Sequence, residues 1–506
     1  MFDIQKIIGF FKKNFKLIDV VLIVLLVALY LATRIANIEK MPIFCDEGIY
    51  IHWAQVAKSD ATWRFISLTD GRQPLQTWAT IPFLKLFPTN ALLAGRLFGV
   101  TAGFLSLIGV FFILFYLFGK KTAYIGSLFY IVTPYFLFYD RMAMADSAVN
   151  TGFIWILFFS IVMVDNIRLD LALLFGITSG LALLTKSTSK MFLALSVFSP
   201  VVAFFKSKKK IIMTTINYLI LLGVVAALAL VIYNIQRLSP FMHFITAKND
   251  TFVMTIPEFL KNPFSVFGHN IQIIPEYVFG ELGYVIGLVG ITGLALLLKK
   301  RPGLGIYFFV IIMLTFGAIA FMAKVIFPRY LIFYGTILTL CAAYLIGELK
   351  NKAIKWFFMT AILAVSIYYG AIIIFNPPLL PFPEIDRGQY VTGACAGTGT
   401  RQIMGFAREK SQTKPVILVA EGNFGLISDM LNVFLLPGDK IQIKGYWPLD
   451  LPQLEENQQY IGQYDVYVVF SQRKTFPQNW PITFVKKYEK PGGESAYYLF
   501  RLEKTK

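Results

Sequence analysis

Two adjacent carboxylates, Asp46 and Glu47, follow the first strongly apolar segment of the chain. That segment runs from Leu17 to Ala36, and its length of about twenty residues suits one crossing of a hydrocarbon core roughly 30 Å thick. Ionisable groups where a chain leaves a membrane are costly and are therefore candidates for function. A carboxylate there could act as a base toward a hydroxyl or an amine. The plainer alternative is that both residues only begin a surface helix, because acidic side chains are common in first turns.

Further charged side chains lie in the turns between later apolar segments. One is a third carboxylate, Asp146, in a short loop. The others are cations, and arginine offers a fork of donors that matches a phosphate. Each cation alone is more simply an anchor at the lipid–water boundary, but together they predict a site for an anionic lipid phosphate. The cations are Arg72, Arg141, Lys186, Lys324 and Arg329.

The composition is that of a polytopic membrane protein. Hydrophobic residues make up 57% of the 506 residues and charged residues 15%, against roughly 45–50% and 25% in soluble domains. The net charge of +18 lies almost wholly before residue 376, since the chain from there onward carries 15 basic and 13 acidic residues. Charge in the apolar part is a topology signal, so nucleic-acid binding is not indicated.

Hydropathy predicts about eleven membrane spans in residues 1–375. When the loops are numbered alternately, every short basic cluster falls on one side, which the positive-inside rule identifies as cytoplasmic. The N-terminus is therefore predicted to be cytoplasmic, and Asp46 to face outward, where nucleotide-activated substrates are normally absent. The predicted spans are 17–38, 91–118, 121–139, 148–165, 170–186, 190–205, 211–235, 274–298, 303–323, 329–348 and 354–375. The basic clusters lie at 12–16, 120–121, 206–210, 299–301 and 350–355.

Two parts of the chain are predicted to lie outside the membrane. The first outer loop, 39–90, is only half-polar and contains short helical patterns. Residues 376–506 have the composition of a soluble domain, with a predicted helix at 399–410 and buried strands at 415–420 and 464–470. We expect a small extracytoplasmic α/β domain, whose role is either acceptor recognition or steadying of the outer loops.

Cysteine and histidine give little sign of metal binding. Three cysteines exclude a disulfide framework and a multi-cysteine zinc site. Cys45 and Cys395 could share a compartment, but the sequence does not establish a bridge between them. The three histidines are far apart and have no ligand spacing. A divalent cation held by Asp46, Glu47 and Asp146 is possible, but the cations alone could neutralise a phosphate, so no cofactor is predicted to be required.

At this point the ordered motifs resemble the C-type glycosyltransferases of the protein O-mannosyltransferase and lipid A aminoarabinose transferase group. Singly the motifs are weak, but they occur in family order over about the first 330 residues. Arg72 stands where the family often has lysine, and Gln73 replaces a frequent proline. The matching pieces are Pro42 with Asp46-Glu47 and Tyr50, Arg72-Gln73-Pro74-Leu75 before Trp78, Asp140-Arg141-Met142 through Asp146, Leu184-Thr185-Lys186, and Pro328-Arg329-Tyr330.

The resemblance implies an inverting hexosyl or pentosyl transferase of the plasma membrane that uses a polyprenyl-phosphate sugar donor and a protein, lipid or glycan acceptor. It implies Asp46 as the catalytic carboxylate, with Asp146 in support and Glu47 holding the sugar or positioning the loop. Lys186 and Arg329 would hold the donor phosphate. The remaining residues predicted to bind substrate are Tyr50, Arg72, Arg141, Lys324 and Tyr330.

A transporter or lipid flippase is the main alternative, because charge between spans also marks transport pathways. The charged turns lie at one face rather than at midplane, and no internal repeat is detected, both of which disfavour a carrier. A membrane-anchored binding protein is a weaker alternative, since it would leave the charged turns without a purpose.

Overall fold

The computed structural model describes residues 15–204, 211–422, 425–493 and 495–504. Two of the basic clusters used to predict the topology, 12–13 and 206–210, lie outside the described residues.

Helices dominate the chain up to residue 375. They are α1 (Leu17–Ile35), α2 (Cys45–Ser59), α3 (Leu75–Leu86), α4 (Ala91–Phe118), α5 (Lys120–Val132), α6 (Pro134–Tyr139), α7 (Ala145–Asp165), α8 (Leu169–Leu183), α9 (Ser189–Leu195), α10 (Val201–Phe204), α11 (Ile211–Tyr233), α12 (Phe244–Phe252), α13 (Ile256–Lys261), α14 (Phe267–Leu282), α15 (Val285–Lys300), α16 (Pro302–Met322), α17 (Ile332–Glu348) and α18 (Lys352–Phe375).

Seven of the described helices are long and apolar enough to cross a membrane. An eighth span results if α14 and α15, which meet at 110°, are counted as one. The apolar helices at 169–183 and 189–204 are shorter. The polytopic helical class is thus confirmed, whereas the predicted number of eleven spans is not.

Two predicted spans are broken for local reasons. The segment 121–139 divides at Thr133 because Pro134, which cannot donate a backbone hydrogen bond, begins α6. The segment 274–298 turns at Gly283 and Tyr284, whose φ angles are +70° and +63°. Hydropathy does not register either break, because the residues on both sides are apolar.

Close helix contacts depend on small residues. Along α15, a Cβ at Gly293 would lie 2.1 Å from the Cys341 carbonyl oxygen of α17, and one at Gly290 would lie 2.4 Å from the Leu338 oxygen. Side chains larger than hydrogen would therefore separate these two helices, as in other close-packed membrane helix pairs.

Beyond α18, the short helix α19 (Glu384–Arg387) leads into a domain in which α20 (Thr400–Ser411), α21 (Ile427–Asn432) and α22 (Leu451–Asn457) accompany one sheet. Its strands are β1 (Val416–Glu421), β2 (Ile441–Tyr446), β3 (Asp465–Phe470), β4 (Ile482–Glu489) and β5 (Ala496–Leu502), in the order β2-β1-β3-β5-β4. β2, β1 and β3 are parallel to one another, and β5 is antiparallel to both of its neighbours, β3 and β4. β1 is buried on both faces, in keeping with its run of apolar residues.

The α/β class of this domain and the positions of α20, β1 and β3 agree with the sequence-based prediction. The domain packs on the first outer loop, since one hydrophobic cluster contains residues of both parts, among them Ile51 and Ala54 of α2 and Met430 of α21. The two parts are also joined by a disulfide between Cys45 and Cys395.

Candidate active site

A cavity of about 1270 Å³ is lined by residues at the start of α2, on several helices and in the loops between them. One part is apolar and is formed by side chains such as Met191, Ile319 and Met322. The other part is charged and contains seven of the ten residues singled out from the sequence. These are Asp46, Tyr50, Arg72, Asp146, Lys186, Arg329 and Tyr330.

Asp46 is held between two arginines that come from different loops. Its Oδ1 accepts from Arg72 Nη2 at 3.1 Å, and its Oδ2 accepts from Arg329 Nη2 at 3.2 Å. Arg72 also donates to Asp70 at 3.0 Å and lies over the Tyr50 ring. Burial alone would raise the pKa of Asp46, but the two guanidinium groups outweigh burial and hold it at about 2.

Arg329 is nearly enclosed. Only 6% of its side chain is exposed, and it lies against aromatic rings including Phe327 at 4.6 Å. Its guanidinium also donates to Gln389 Oε1 and to the Tyr390 hydroxyl, in the segment that follows α19. The rigid fork of arginine thus joins Asp46 to the entry of the C-terminal domain.

Asp146 and Lys186 form a second ion pair in the cavity, with 3.0 Å between Lys186 Nζ and Asp146 Oδ1. Lys186 also lies 4.0 Å over the ring of Tyr330. Burial lowers the pKa of Lys186, but the nearby carboxylate more than compensates, so the pKa is raised above its ordinary value and the side chain remains a cation.

Glu47 does not face the cavity, although it is the neighbour of Asp46. Successive residues of a helix diverge by about 100°, and Glu47 points into the protein, where it is fully buried. Arg96 of α4 binds it in a bidentate manner at 2.8 and 2.9 Å, and the backbone N–H groups of Phe44 and Ala143 donate to the same carboxylate. Every oxygen of Glu47 is therefore engaged in fixing the head of α2.

Arg141 and Lys324, which were expected to bind substrate, also lie outside the cavity lining. The Arg141 guanidinium donates to four carbonyl oxygens at the end of α1, those of residues 33, 34, 36 and 37, and so caps that helix. Lys324 pairs with Glu258 at 2.8 Å and donates to the Asp250 carbonyl. These contacts give Arg141 and Lys324 structural roles.

Sequence reasoning missed three contributors: Arg96, Gln389 and Tyr390. Arg96 falls inside a predicted span, and a charge at such a position signals a buried partner. Gln389 and Tyr390 carry no comparable signal, because only the fold brings them to Arg329.

Within the described residues, no group of three histidine, cysteine, aspartate or glutamate side chains is arranged to hold a metal ion. Asp46 and Asp146 each face a cation instead. The cations Arg72, Lys186 and Arg329, beside the apolar part of the cavity, can bind an anion that has an apolar tail, and can stabilise that anion if it departs from a substrate.

Comparisons with known proteins place the chain beside one protein family and several solved structures. Residues 72–234 match the model of the family described as dolichyl-phosphate-mannose-protein mannosyltransferase. The match covers about a third of the chain and includes Arg72, Asp146 and Lys186. A sequence search of curated proteins finds no match.

Solved structures resemble nearly the whole chain. ArnT from Cupriavidus metallidurans bound to undecaprenyl phosphate matches with a TM-score of 0.63 at 12% identity, over 96% of this chain and 99% of that one. The apo state of the same protein gives a TM-score of 0.60 at 13% identity, with the same coverage. The chain has the fold of a C-type glycosyltransferase. The archaeal oligosaccharyltransferase AglB from Archaeoglobus fulgidus, in complex with an inhibitory peptide and a dolichol-phosphate, matches with a TM-score of 0.53 at 11% identity, over 91% of this chain and 70% of AglB.

The resemblance to C-type glycosyltransferases that was drawn from the ordered motifs is thereby confirmed. At 11–13% identity these matches show that the fold is shared. They do not transfer the role of any residue from those proteins to this chain. The roles of individual side chains must come from the geometry of the site.

Proposed function

We propose that the protein moves a sugar from a polyprenyl-phosphate donor to a protein, lipid or glycan acceptor, with inversion at the anomeric carbon. The observation that carries this proposal is the position of Asp46, held between Arg72 and Arg329 where a charged site meets an apolar cavity. The C-type fold and the family match at 72–234 support it. So do the two structural relatives that bind undecaprenyl phosphate and dolichol-phosphate.

The cations serve the leaving group. Arg72, Lys186 and Arg329 bind the donor phosphate and stabilise the charge that it gains as the glycosidic bond breaks. A phosphate needs little protonation to leave, so this half of the reaction requires no acid. The apolar side of the cavity receives the first isoprene units.

Asp46 serves the acceptor. In the free protein its low pKa makes it a weak base, because proton transfer is most efficient when the pKa of the base lies near the working pH. A bound phosphate competes for Arg72 and Arg329, and this competition weakens their hold on Asp46 and raises its pKa. Donor binding thus prepares the carboxylate to accept a proton from the acceptor hydroxyl or amine.

A single displacement follows. The acceptor attacks the anomeric carbon from the face opposite the phosphate, so the configuration inverts. Asp146 and Tyr50 orient the sugar or the acceptor beside Asp46, and Glu47 takes no part beyond fixing α2.

We further propose that no divalent cation is essential, since three cations already face the phosphate. Transfer that persists after treatment with a chelator is the expected result. Loss of transfer that added Mg²⁺ or Mn²⁺ restores would contradict it.

The cavity is proposed to open outside the plasma membrane, with the N-terminus in the cytoplasm. The Cys45–Cys395 disulfide supports this orientation, because disulfides persist in oxidising compartments. The basic clusters on the opposite side support it as well.

The decisive test is transfer of labelled sugar from polyprenyl-phosphate donors by the purified full-length protein. We expect Asp46→Asn to abolish transfer while donor binding survives. Asp60→Asn is the matched control, since Asp60 is exposed on the same loop and only caps a short helical turn. If the Asp46→Asn variant still transfers sugar, another residue must act as the base. Absence of transfer with every donor, together with substrate flux in liposomes, would support a transporter instead.

A further inference from the structure

The segment that leads into the C-terminal domain pairs with the residues that enter α2. Cys45 Sγ is bonded to Cys395 Sγ. Beside this bond, Cys45 N donates to the Cys395 oxygen at 3.1 Å and Gly397 N donates to the Ile43 oxygen at 2.7 Å. One covalent bond and two backbone hydrogen bonds therefore hold the chain immediately before Asp46.

The residues immediately before and after Asp46 each anchor α2 to another part of the protein. On one side Glu47 anchors the helix to Arg96 in the protein core. On the other side Cys45, the first residue of the helix, is anchored to Cys395, which lines the same cavity as Asp46. The carboxylate that faces the arginines is thus positioned by its two immediate neighbours.

The C-terminal domain also contacts α2 beyond its first turn. A Cβ at Gly48 would lie 2.9 Å from Met430 Cγ and 3.0 Å from the Met430 backbone nitrogen. His52 Nδ1 lies 2.6 Å from Asp429 Oδ1. These contacts fix the axis of the helix, whereas the disulfide fixes its first turn.

We propose that the Cys45–Cys395 disulfide is a positioning element for catalysis, which keeps Asp46 in register with Arg72 and Arg329 and contributes little to donor affinity. This inference rests on the proposed function. It gives the C-terminal domain an indirect part in the chemistry, because the domain positions Asp46, a residue that lies outside it.

The expected effect is on turnover. A displacement of about 1 Å at a reacting group can cost about a hundredfold in rate. The two backbone hydrogen bonds and the Glu47 anchor remain when the disulfide is cleaved, so we expect a smaller loss, of roughly tenfold in kcat. The arginines that bind the phosphate are held by other contacts, so the KM for the donor should change by less than about twofold.

Reduction offers a test on folded protein. A thiolate of an added dithiol attacks Cys395 Sγ on the cavity side, and the bond to Cys45 Sγ breaks, leaving a mixed disulfide and a Cys45 thiolate that takes a proton. The second thiol of the reagent then displaces Cys395 as a thiol and closes an intramolecular disulfide in the reagent. Two electrons and two protons pass from the dithiol to the cysteine pair.

The experiment compares oxidised, reduced and reoxidised full-length enzyme with a Cys45→Ser/Cys395→Ser double variant. Cys341→Ala is the control, because Cys341 is a buried free thiol of α17 away from the cavity. We expect kcat to fall in the reduced enzyme and in the double variant, and to recover on reoxidation of the reduced enzyme. The pKa of Asp46 should rise as its contacts with the arginines loosen, so an acid limb that the oxidised enzyme lacks above about pH 4 should appear in kcat/KM.

Two results would overturn the inference. One is an unchanged kcat and pH profile after verified cleavage of the disulfide. The other is a parallel loss of kcat, donor affinity and thermal stability, which indicates a scaffold contact only. If oxidised wild type transfers no sugar from any donor, the proposed function itself has failed, and that outcome is distinct from both.

Discussion

Replacement of Glu47 by glutamine should destabilise the protein severely although the change is nearly isosteric. The carboxylate accepts four hydrogen bonds, two from Arg96 and one each from the Phe44 and Ala143 N–H groups. A glutamine amide has only one accepting oxygen, and its NH₂ group would face donors. Arg96 would also remain buried without a counter-charge.

The magnitude follows from that burial. Breaking a fully buried ion pair by removing one partner costs about 3–5 kcal/mol, a large part of the total stability of a typical domain. Arg96 additionally donates to the Ile38, Met41 and Pro42 carbonyl oxygens, which form the turn before α2. We therefore expect Glu47→Gln to lower the free energy of unfolding by at least about 3 kcal/mol and to reduce kcat by disordering the first turn of α2.

The assay is unfolding of the detergent-purified protein, followed by circular dichroism. Glu348→Gln is the matched control, because Glu348 pairs with Lys300 at 2.9 Å, nearly the distance of the Glu47–Arg96 pair, but both side chains are more than 40% exposed. Exposed ion pairs contribute little, so this variant should behave like wild type. Equal destabilisation by the two substitutions would refute the argument from burial. A Glu47→Gln variant that has wild-type stability but no activity would also refute the argument, since that result assigns Glu47 to the chemistry.

Three further predictions concern the cavity and the helix that carries Asp46. Arg329→Lys should weaken donor binding and lower kcat together, because an ammonium cannot contact Asp46 and the residues after α19 at the same time; donor titration and turnover measure the two effects. Gly48→Val should displace α2 from Met430 and lower activity at least tenfold, as steady-state transfer will show. Wild-type kcat/KM should show no acid limb from Asp46 above about pH 4, whereas Arg72→Gln should introduce one, since losing a cation raises the pKa of a base that works only when ionised.

Each of these predictions has a contrasting result. Gly405→Ala is a control for Gly48, because nothing lies within 4 Å of a Cβ at Gly405; equal activity of the two variants would contradict the close-approach argument. Unchanged donor affinity in Arg329→Lys would show that Arg329 does not bind the donor phosphate. An unshifted pH profile in Arg72→Gln would show that Asp46 is not the titrating base.

Much of this site was accessible from sequence, because charge near a membrane is costly and therefore rarely incidental. Asp46, Arg72, Asp146, Lys186 and Arg329 were each identified in a turn after an apolar segment, and the fold brings all five to one cavity. Their individual roles remain predictions.

The features that sequence did not resolve have a common physical origin. Glu47 and Arg141 have the same residue types and loop positions as the cavity residues, and only the direction of the side chain separates them. The predicted number of spans is not confirmed for a related reason, since hydropathy measures composition and does not register the helix break at Pro134 or the turn at Gly283. The disulfide could not be inferred, because a separation of 350 residues carries no pairing signal.

That separation also has a consequence for how the protein is made. The cysteine that completes the head of α2 is synthesised 350 residues after its partner, about twenty seconds to a minute later at ordinary rates of translation. The membrane helices therefore enter the bilayer before the first turn of α2 can be closed. A nascent or truncated chain can possess every charged residue of the cavity and still lack the finished site, because maturation ends with a late joining of the first loop to the C-terminal domain.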